Sequence, residues 1–158
     1  PQNGNDHPHS TPMGVLPTAD GYINVGVGGE GQWKSFCKAV GRDDLTDHPD
    51  YANAKQRFRH RPVLMGLLGD LFRTQSTEHG LARLESEGVP AGPIYTMDEV
   101  FSDPQVEHLG MAVPIHHHAR GDIRLIAQPL VMSRTPPTVQ TPVPEPGEHT
   151  DEVLAEAG

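Results

Sequence analysis

The sequence predicts a mixed α/β chain of the α+β kind, in which an antiparallel hairpin plus helices is followed by a return to extended structure. Three observations carry this. Two short β-prone runs, 13–18 and 22–27, flank Asp20-Gly21, a strong hairpin signal. Between residues 32 and 88, apolar side chains recur at helical spacing in three separate stretches. Beyond residue 110, two further extended runs, 111–116 and 122–127, meet at Gly121.

Each element follows from its local signals. Residues 1–12 are polar and rich in turn formers, so they read as an irregular loop. Glycines 26, 28, 29 and 31 lead out of the hairpin into a helix over 32–40, where Trp33, Phe36, Cys37 and Val40 share a face and Gly41 is the stop. Residues 42–51 hold acidic and turn residues and form short-range structure. A second helix starts near Pro62, a favoured first-turn residue, and aligns Leu64, Leu67, Leu68, Leu71 and Phe72. A third begins after Ser76 or Thr77 as cap, carries Leu81, Ala82 and Leu84, and stops at Gly88.

Residues 91–95 form a short extended piece, and 97–101 and 104–109 form one- or two-turn helices separated by Asp103-Pro104. Residues 133–146 are extended and too proline-rich for a central strand. A terminal helix over 150–157 takes Thr150 as its cap, with Asp151 and Glu152 where the helix dipole favours anions.

Composition narrows the function. The chain has 158 residues, 35% of them hydrophobic, with 17 glycines and 16 prolines, so its core is lean and part of it is expected to lean on another segment or chain. A net charge of −9 and a pI near 5.5 oppose a nucleic acid or an anionic membrane as partner. Cys37 is the sole cysteine, so no intrachain disulfide can form, and a cytoplasmic location is the simplest expectation. The longest apolar stretch, around residues 63–68, falls far short of the roughly 20 residues that span a bilayer. The opening Pro1-Gln2-Asn3-Gly4 has neither an initiator Met nor an apolar signal segment, and reads as a loop cut from a longer protein.

Six constellations invite a chemical reading. The glycines at 26–31 lie between strand and helix, where phosphate loops occur, but their spacing matches no dinucleotide or P-loop pattern and Glu30 would repel phosphate; a tight turn is preferred. His116-His117-His118 offers imidazoles, yet adjacent strand residues point to opposite faces and make a poor tetrahedral metal site, so a solvent-exposed strand end is preferred. Arg120-Gly121-Asp122 reads as a hairpin turn rather than an adhesion tripeptide.

Lys55, Arg57, Arg59 and Arg61 form the one basic cluster. Extended, their alternate residues share a face that suits phosphates; helical, they scatter, and a solvated helix start is preferred. Residues 148–152 read as a helix start in which His149 can pair with a carboxylate. Cys37 lies on the apolar face of its helix and reads as core. No metal ligand set and no nucleophile can be nominated from these residues alone.

Seven stretches in order carry a resemblance. Gly4-Asn5-Asp6-His7-Pro8 with Pro12, then Leu16-Pro17-Thr18-Ala19-Asp20-Gly21-Tyr22-Ile23, open it. The helix from Trp33 to Gly41 and the segment Glu87-Gly88-Val89-Pro90-Ala91-Gly92-Pro93-Ile94 continue it. Asp98-Glu99-Val100-Phe101 with Asp103-Pro104-Gln105-Val106 follows. Pro129 with Ser133-Arg134-Thr135-Pro136, and finally Gly147-Glu148-His149-Thr150-Asp151-Glu152-Val153-Leu154, complete it. Together they resemble the C-terminal portion of family III CoA-transferases, the CaiB/BaiF group.

The resemblance implies a division into an active-site-bordering loop (1–12), a small domain (13–95) and a C-terminal segment (96–158) returning to a Rossmann-like large domain. It implies a parent enzyme that moves CoA from an acyl-CoA to a carboxylic acid, with the CoA thioester as substrate and no covalently bound cofactor. An Asp carboxylate would attack the thioester, giving an anhydride and then an enzyme-bound thioester. In the family that Asp lies in the N-terminal half, so no catalytic residue is expected in this chain, and the chain alone is expected to be inactive.

Gly4, Asn5 and His7 would border the site, Asn5 and His7 as hydrogen-bond donors, while Arg57, Arg59 and Arg61 would be the contacts for CoA phosphates. An interlocked homodimer is implied for the full protein. Two other readings stand beside this one: part of an acyl-CoA racemase of the same family, in which acid–base residues exchange the α-proton, and a catalytically silent folding or interaction module.

Overall fold

Period-two alternation in the first strands decides which face becomes core. In the computed structural model, which describes residues 4–158, β1 (Met13–Pro17) and β2 (Tyr22–Gly26) pair antiparallel, with Leu16 opposite Ile23 and Gly14 opposite Val25. Leu16, Ile23 and Val25 point inward and are almost fully buried, while Tyr22 and Asn24 point out. β3 (Ala91–Pro93) adds to the other edge of β2, so the sheet order is β1-β2-β3. The hairpin loop is longer than the Asp20-Gly21 signal alone implies, because the ladder closes at Pro17 opposite Tyr22. Asp20 is turned away to accept from the Thr77 backbone N–H (2.7 Å) and hydroxyl (2.8 Å), which ties the hairpin to the helix that starts there. Those bonds, the backbone one first, hold the Asp20 carboxyl below its ordinary range.

Three of the four helices of this unit supply the apolar side chains that pack with the inner face. α1 (Glu30–Val40) buries Trp33, Phe36, Cys37, Ala39 and Val40, and ends as expected at Gly41 in the left-handed region (φ 70°). A 3₁₀ turn (Asp43–Leu45) inserts Leu45 into the core. The sequence reading started the next helix near Pro62, but a short helix, α2 (Ala54–Arg59), precedes it, capped by Asn53 accepting from the Gln56 N–H at 3.0 Å. α3 (Arg61–Phe72) buries Leu64, Leu68 and Phe72. α4 (Thr77–Ser86) is capped by Ser76 and contributes Leu84, after which Gly88 (φ 68°) turns the chain toward β3. Residues Pro1–Ile94 make one compact unit. The loop expected over 1–12 lies partly outside the described residues, since residues 1–3 are not among them.

Residues Tyr95–Gly158 make a second unit. α5 (Met97–Ser102) opens with a capping box between Thr96 and Glu99, and α6 (Pro104–His108) is capped by Asp103. β4 (Ala112–His117) and β5 (Gly121–Ile126) form a hairpin in register from Ala112 opposite Ile126 to His117 opposite Gly121. The Arg120-Gly121-Asp122 tripeptide sits at its turn, with Gly121 at φ 71°. α7 (Thr150–Ala157) ends the chain; Thr150 is its first helical residue, and His149 occupies the cap position without a side-chain cap bond. Every buried apolar side chain among the described residues belongs to the first unit. In the second, Leu109, Ile126, Leu130, Val131 and Leu154 are all more than half exposed. No helix among the described residues is long and apolar enough to cross a membrane.

Candidate functional site

The loop over residues 4–12 lies against the first strand. The His7 N–H donates to the Met13 carbonyl (2.9 Å), and the Val27 N–H donates to the Pro12 carbonyl (3.0 Å). Gly14 (φ 152°) is needed where they meet, because a Cβ there would run into the Asp6 carboxylate and lie 3.1 Å from the Asn5 carbonyl oxygen. His7 folds its own loop: its Nδ1 accepts from the backbone N–H of His9 (3.2 Å) and of Ser10 (3.0 Å). With Nδ1 engaged as an acceptor, the neutral ring carries its proton on Nε2, which is left to donate outward. Gly4 (φ 62°) makes the turn before it, and Gly4, Asn5 and His7 are all exposed.

Two arginines hold the loop from below. The Arg61 Nε donates to the Thr11 hydroxyl (2.8 Å), and its terminal nitrogen donates to the Ser10 carbonyl (2.6 Å) and to the His7 carbonyl. Arg57 is only 2% exposed. Its Nε donates to the Thr11 carbonyl (3.2 Å), one terminal nitrogen donates to the Tyr51 carbonyl (3.0 Å), and both terminal nitrogens meet the Glu30 carboxylate (3.0 and 3.1 Å). The guanidinium of Arg57 lies 4.9 Å from the Trp33 ring centre, and that of Arg61 lies 5.1 Å from Phe58. The hydrogen bonds from Arg57 hold the Glu30 carboxyl below its ordinary range.

These placements correct the reading of residues 55–61 as a solvated helix start. The segment is helical, so its cations do scatter, but only Arg59 of the three nominated arginines faces solvent, while Arg57 is core and Arg61 is half-buried. No local signal marks this out, because the partners of the two arginines lie 27 to 54 residues away in sequence, apart from Tyr51. Glu30, read as a deterrent to phosphate, is the counter-ion of Arg57. The neighbouring Gly28 N–H is already taken by the Gln32 side chain at 2.7 Å.

Asn5 stands at the rim of an open cleft of about 530 Å³ on the outer face of the first sheet. Val15 and Ile94 give this cleft apolar walls, and Tyr22 and Asn24 line it together with Asn5. The sequence reading missed Tyr22 and Asn24. Their outward position follows from strand alternation, but their proximity to Asn5 depends on the loop folding back over β1.

The carboxylates whose acidity is altered serve structure. Asp20 and Asp98 accept helix-start hydrogen bonds, Glu30 pairs with Arg57, Asp44 with Arg42 and Glu145 with Arg120. Cys37 is fully buried, and burial pushes its thiol up to about 11, which suits a core residue and not a thiolate. The histidine run divides by strand alternation. His116 is exposed beside Asp122, and His118 lies near Glu148 (3.5 Å), but His117 is buried (2% exposed) with Nε2 3.0 Å from the Val143 carbonyl and Nδ1 accepting from the Ala119 N–H. The expectation of an exposed strand end therefore fails for His117, which pins the extended segment to the hairpin.

Comparison with known proteins gives this arrangement its context. The chain matches CoA-transferase family III over residues 1–150. A succinate–glutarate CoA-transferase of Agrobacterium fabrum is 35% identical over 153 residues, 97% of this chain and 38% of that protein. A human succinyl-CoA:glutarate CoA-transferase is 33% identical over 97% of this chain and 35% of its own length. The crystal structure of a CAIB/BAIF family protein from Brucella suis superposes with a TM-score of 0.75 at 30% identity, covering 98% of this chain and 40% of that one. The chain thus spans well under half the length of the proteins it resembles. The mixed fold and the ordered motifs agree with this assignment, and the chain belongs to CoA-transferase family III.

Proposed function

We propose that the full protein containing this chain transfers CoA from an acyl-CoA to a carboxylic acid, and that these residues supply the loop bordering the reacting centre. The single observation that carries this is the 35% identity, over 97% of the chain, to a succinate–glutarate CoA-transferase. In the proposed reaction an Asp outside this chain attacks the thioester carbonyl and expels CoA thiolate, leaving a mixed anhydride. The thiolate then attacks the Asp carbonyl and releases the first acid, leaving an Asp-linked CoA thioester. The incoming carboxylate attacks that thioester and expels CoA thiolate, leaving a second mixed anhydride; the thiolate then attacks the incoming acid's own carbonyl, forming the second acyl-CoA and freeing the Asp carboxylate. Asn5 and the Nε2–H of His7 would donate hydrogen bonds to the thioester or carboxylate oxygens.

Of the basic cluster, Arg59 keeps an exposed guanidinium for CoA phosphates. The exposed apolar side chains of the second unit support its being covered in the full protein by the family's large domain, within a homodimer. The test is an assay of the full protein with succinyl-CoA and glutarate. Glutaryl-CoA formed in step with succinate release is expected. Acid-independent epimerisation of an α-branched acyl-CoA, without CoA exchange, would establish the racemase reading in its place.

A further inference from the structure

We infer that Arg61 is a positioning residue that sets the conformation of the loop carrying Asn5 and His7; its effect on turnover rests on the function proposed above. The loop has few anchors of its own. Between Gly4 and Thr11, its one backbone bond to the strands is the one from the His7 N–H to Met13. The carbonyls of His7 and Ser10 and the hydroxyl of Thr11 instead converge on the Arg61 guanidinium, two on one terminal nitrogen and one on Nε. Three acceptors from a five-residue span thus meet one planar, rigid donor fork, which a lysine ammonium on its flexible stem cannot reproduce.

The fork is itself held. Arg61 opens α3, whose start is set by Pro62, and its guanidinium rests against the Phe58 ring. Beneath it, buried Arg57 takes a fourth acceptor, the Thr11 carbonyl. The two arginines do different work. Arg57 sits in the core and, besides Thr11, has partners in α1 and before α2, whereas Arg61 is half-buried and among the described residues donates only to the loop. Removing Arg61 leaves the carbonyls of exposed His7 and half-buried Ser10 to water and vacates the space beside the buried Thr11 hydroxyl, so the fold survives while the loop loses its single geometry.

The test uses the full protein with Arg61→Ala and Arg61→Lys, read by hydrogen exchange and by steady-state kinetics. The His9 and Ser10 amides, which donate to His7 Nδ1, report on the loop. In Arg61→Ala these amides are expected to exchange at least about tenfold faster, while the amides of buried Phe36 and Leu68 exchange as in the parent. Turnover is expected to fall on the order of 10- to 100-fold in kcat, with KM for the acyl-CoA little changed, as for loss of geometry rather than of binding. Arg61→Lys is expected not to restore either readout, whereas guanidinium ion, well below denaturing concentration, restores part of kcat in Arg61→Ala. Unchanged exchange of the two amides in Arg61→Ala would overturn the inference. Faster exchange with unchanged kcat upholds the clamp and removes the loop from the proposed reaction.

Discussion

Arg57→Ala is expected to destabilise the first unit by about 2–4 kcal/mol, measured as a lower urea midpoint for the change in Trp33 emission. Trp33 is the only tryptophan of these 158 residues and is buried in the first unit, so within this chain its emission reports on that unit. The magnitude follows from what the deletion strands. The Thr11 and Tyr51 carbonyls each lose a donor at a buried site, where an unsatisfied group costs about 1–3 kcal/mol. Glu30 is half exposed and regains water, so the full cost of an orphaned buried charge does not apply. The Trp33 ring also loses the guanidinium at its face.

The same substitution changes the acid response. The folded state holds Glu30 below its ordinary value of 4.5, so the pair stabilises the fold fully above that value and loses its contribution as the pH falls through the lower, folded one. Arg57→Ala removes that component of acid destabilisation. A urea midpoint that does not move, or an unaltered acid response, would show that Arg57 does not organise this part of the core.

Phe72→Ala is expected to cost about 3–5 kcal/mol by the same readout, the range for truncating a buried aromatic. Phe72 is 1% exposed, with its ring centre 6.4 Å from that of Phe36, which in turn stacks on Trp33 at 6.0 Å. It therefore joins α3 to α1. It also governs α4, because a Cβ on Gly80 would stand 3.2 Å from the edge of its ring. In an exposed helix, Gly→Ala gains about 1 kcal/mol from propensity. Gly80→Ala in the parent is expected to forfeit that gain to contact with Phe72, and to recover it when combined with Phe72→Ala. Simple additivity of the two substitutions would contradict this packing.

What could be read from sequence was what local rules govern. The stripe of Trp33, Phe36, Cys37 and Val40 with its Gly41 stop became α1. Leu64, Leu68 and Phe72 behind Pro62 became the buried face of α3. The family was legible too, because its motifs are spread along the chain in a fixed order.

What could not be read depended on distant partners. Nothing near Arg57 in sequence says that Glu30 and Thr11 wait for it, so a cation among exposed cations looked solvated. His117 shows a different kind of gap: alternation correctly separates it from His116 and His118, but only the return of Val143 decides that its face is the covered one. The site divides the same way. Asn5 and His7 came from the motif, whereas the grip of Arg61 on their loop needed the fold.

On the function proposed above, this chain shapes the reacting centre and the nucleophile lies outside it. This is tested most directly by incubating the full protein with succinyl-CoA, trapping the activated carboxyl with hydroxylamine, and mapping the hydroxamate by peptide mass spectrometry. One modified Asp is expected outside these residues, and none among the 21 Asp and Glu side chains of this chain. A hydroxamate at any of those 21 would contradict it.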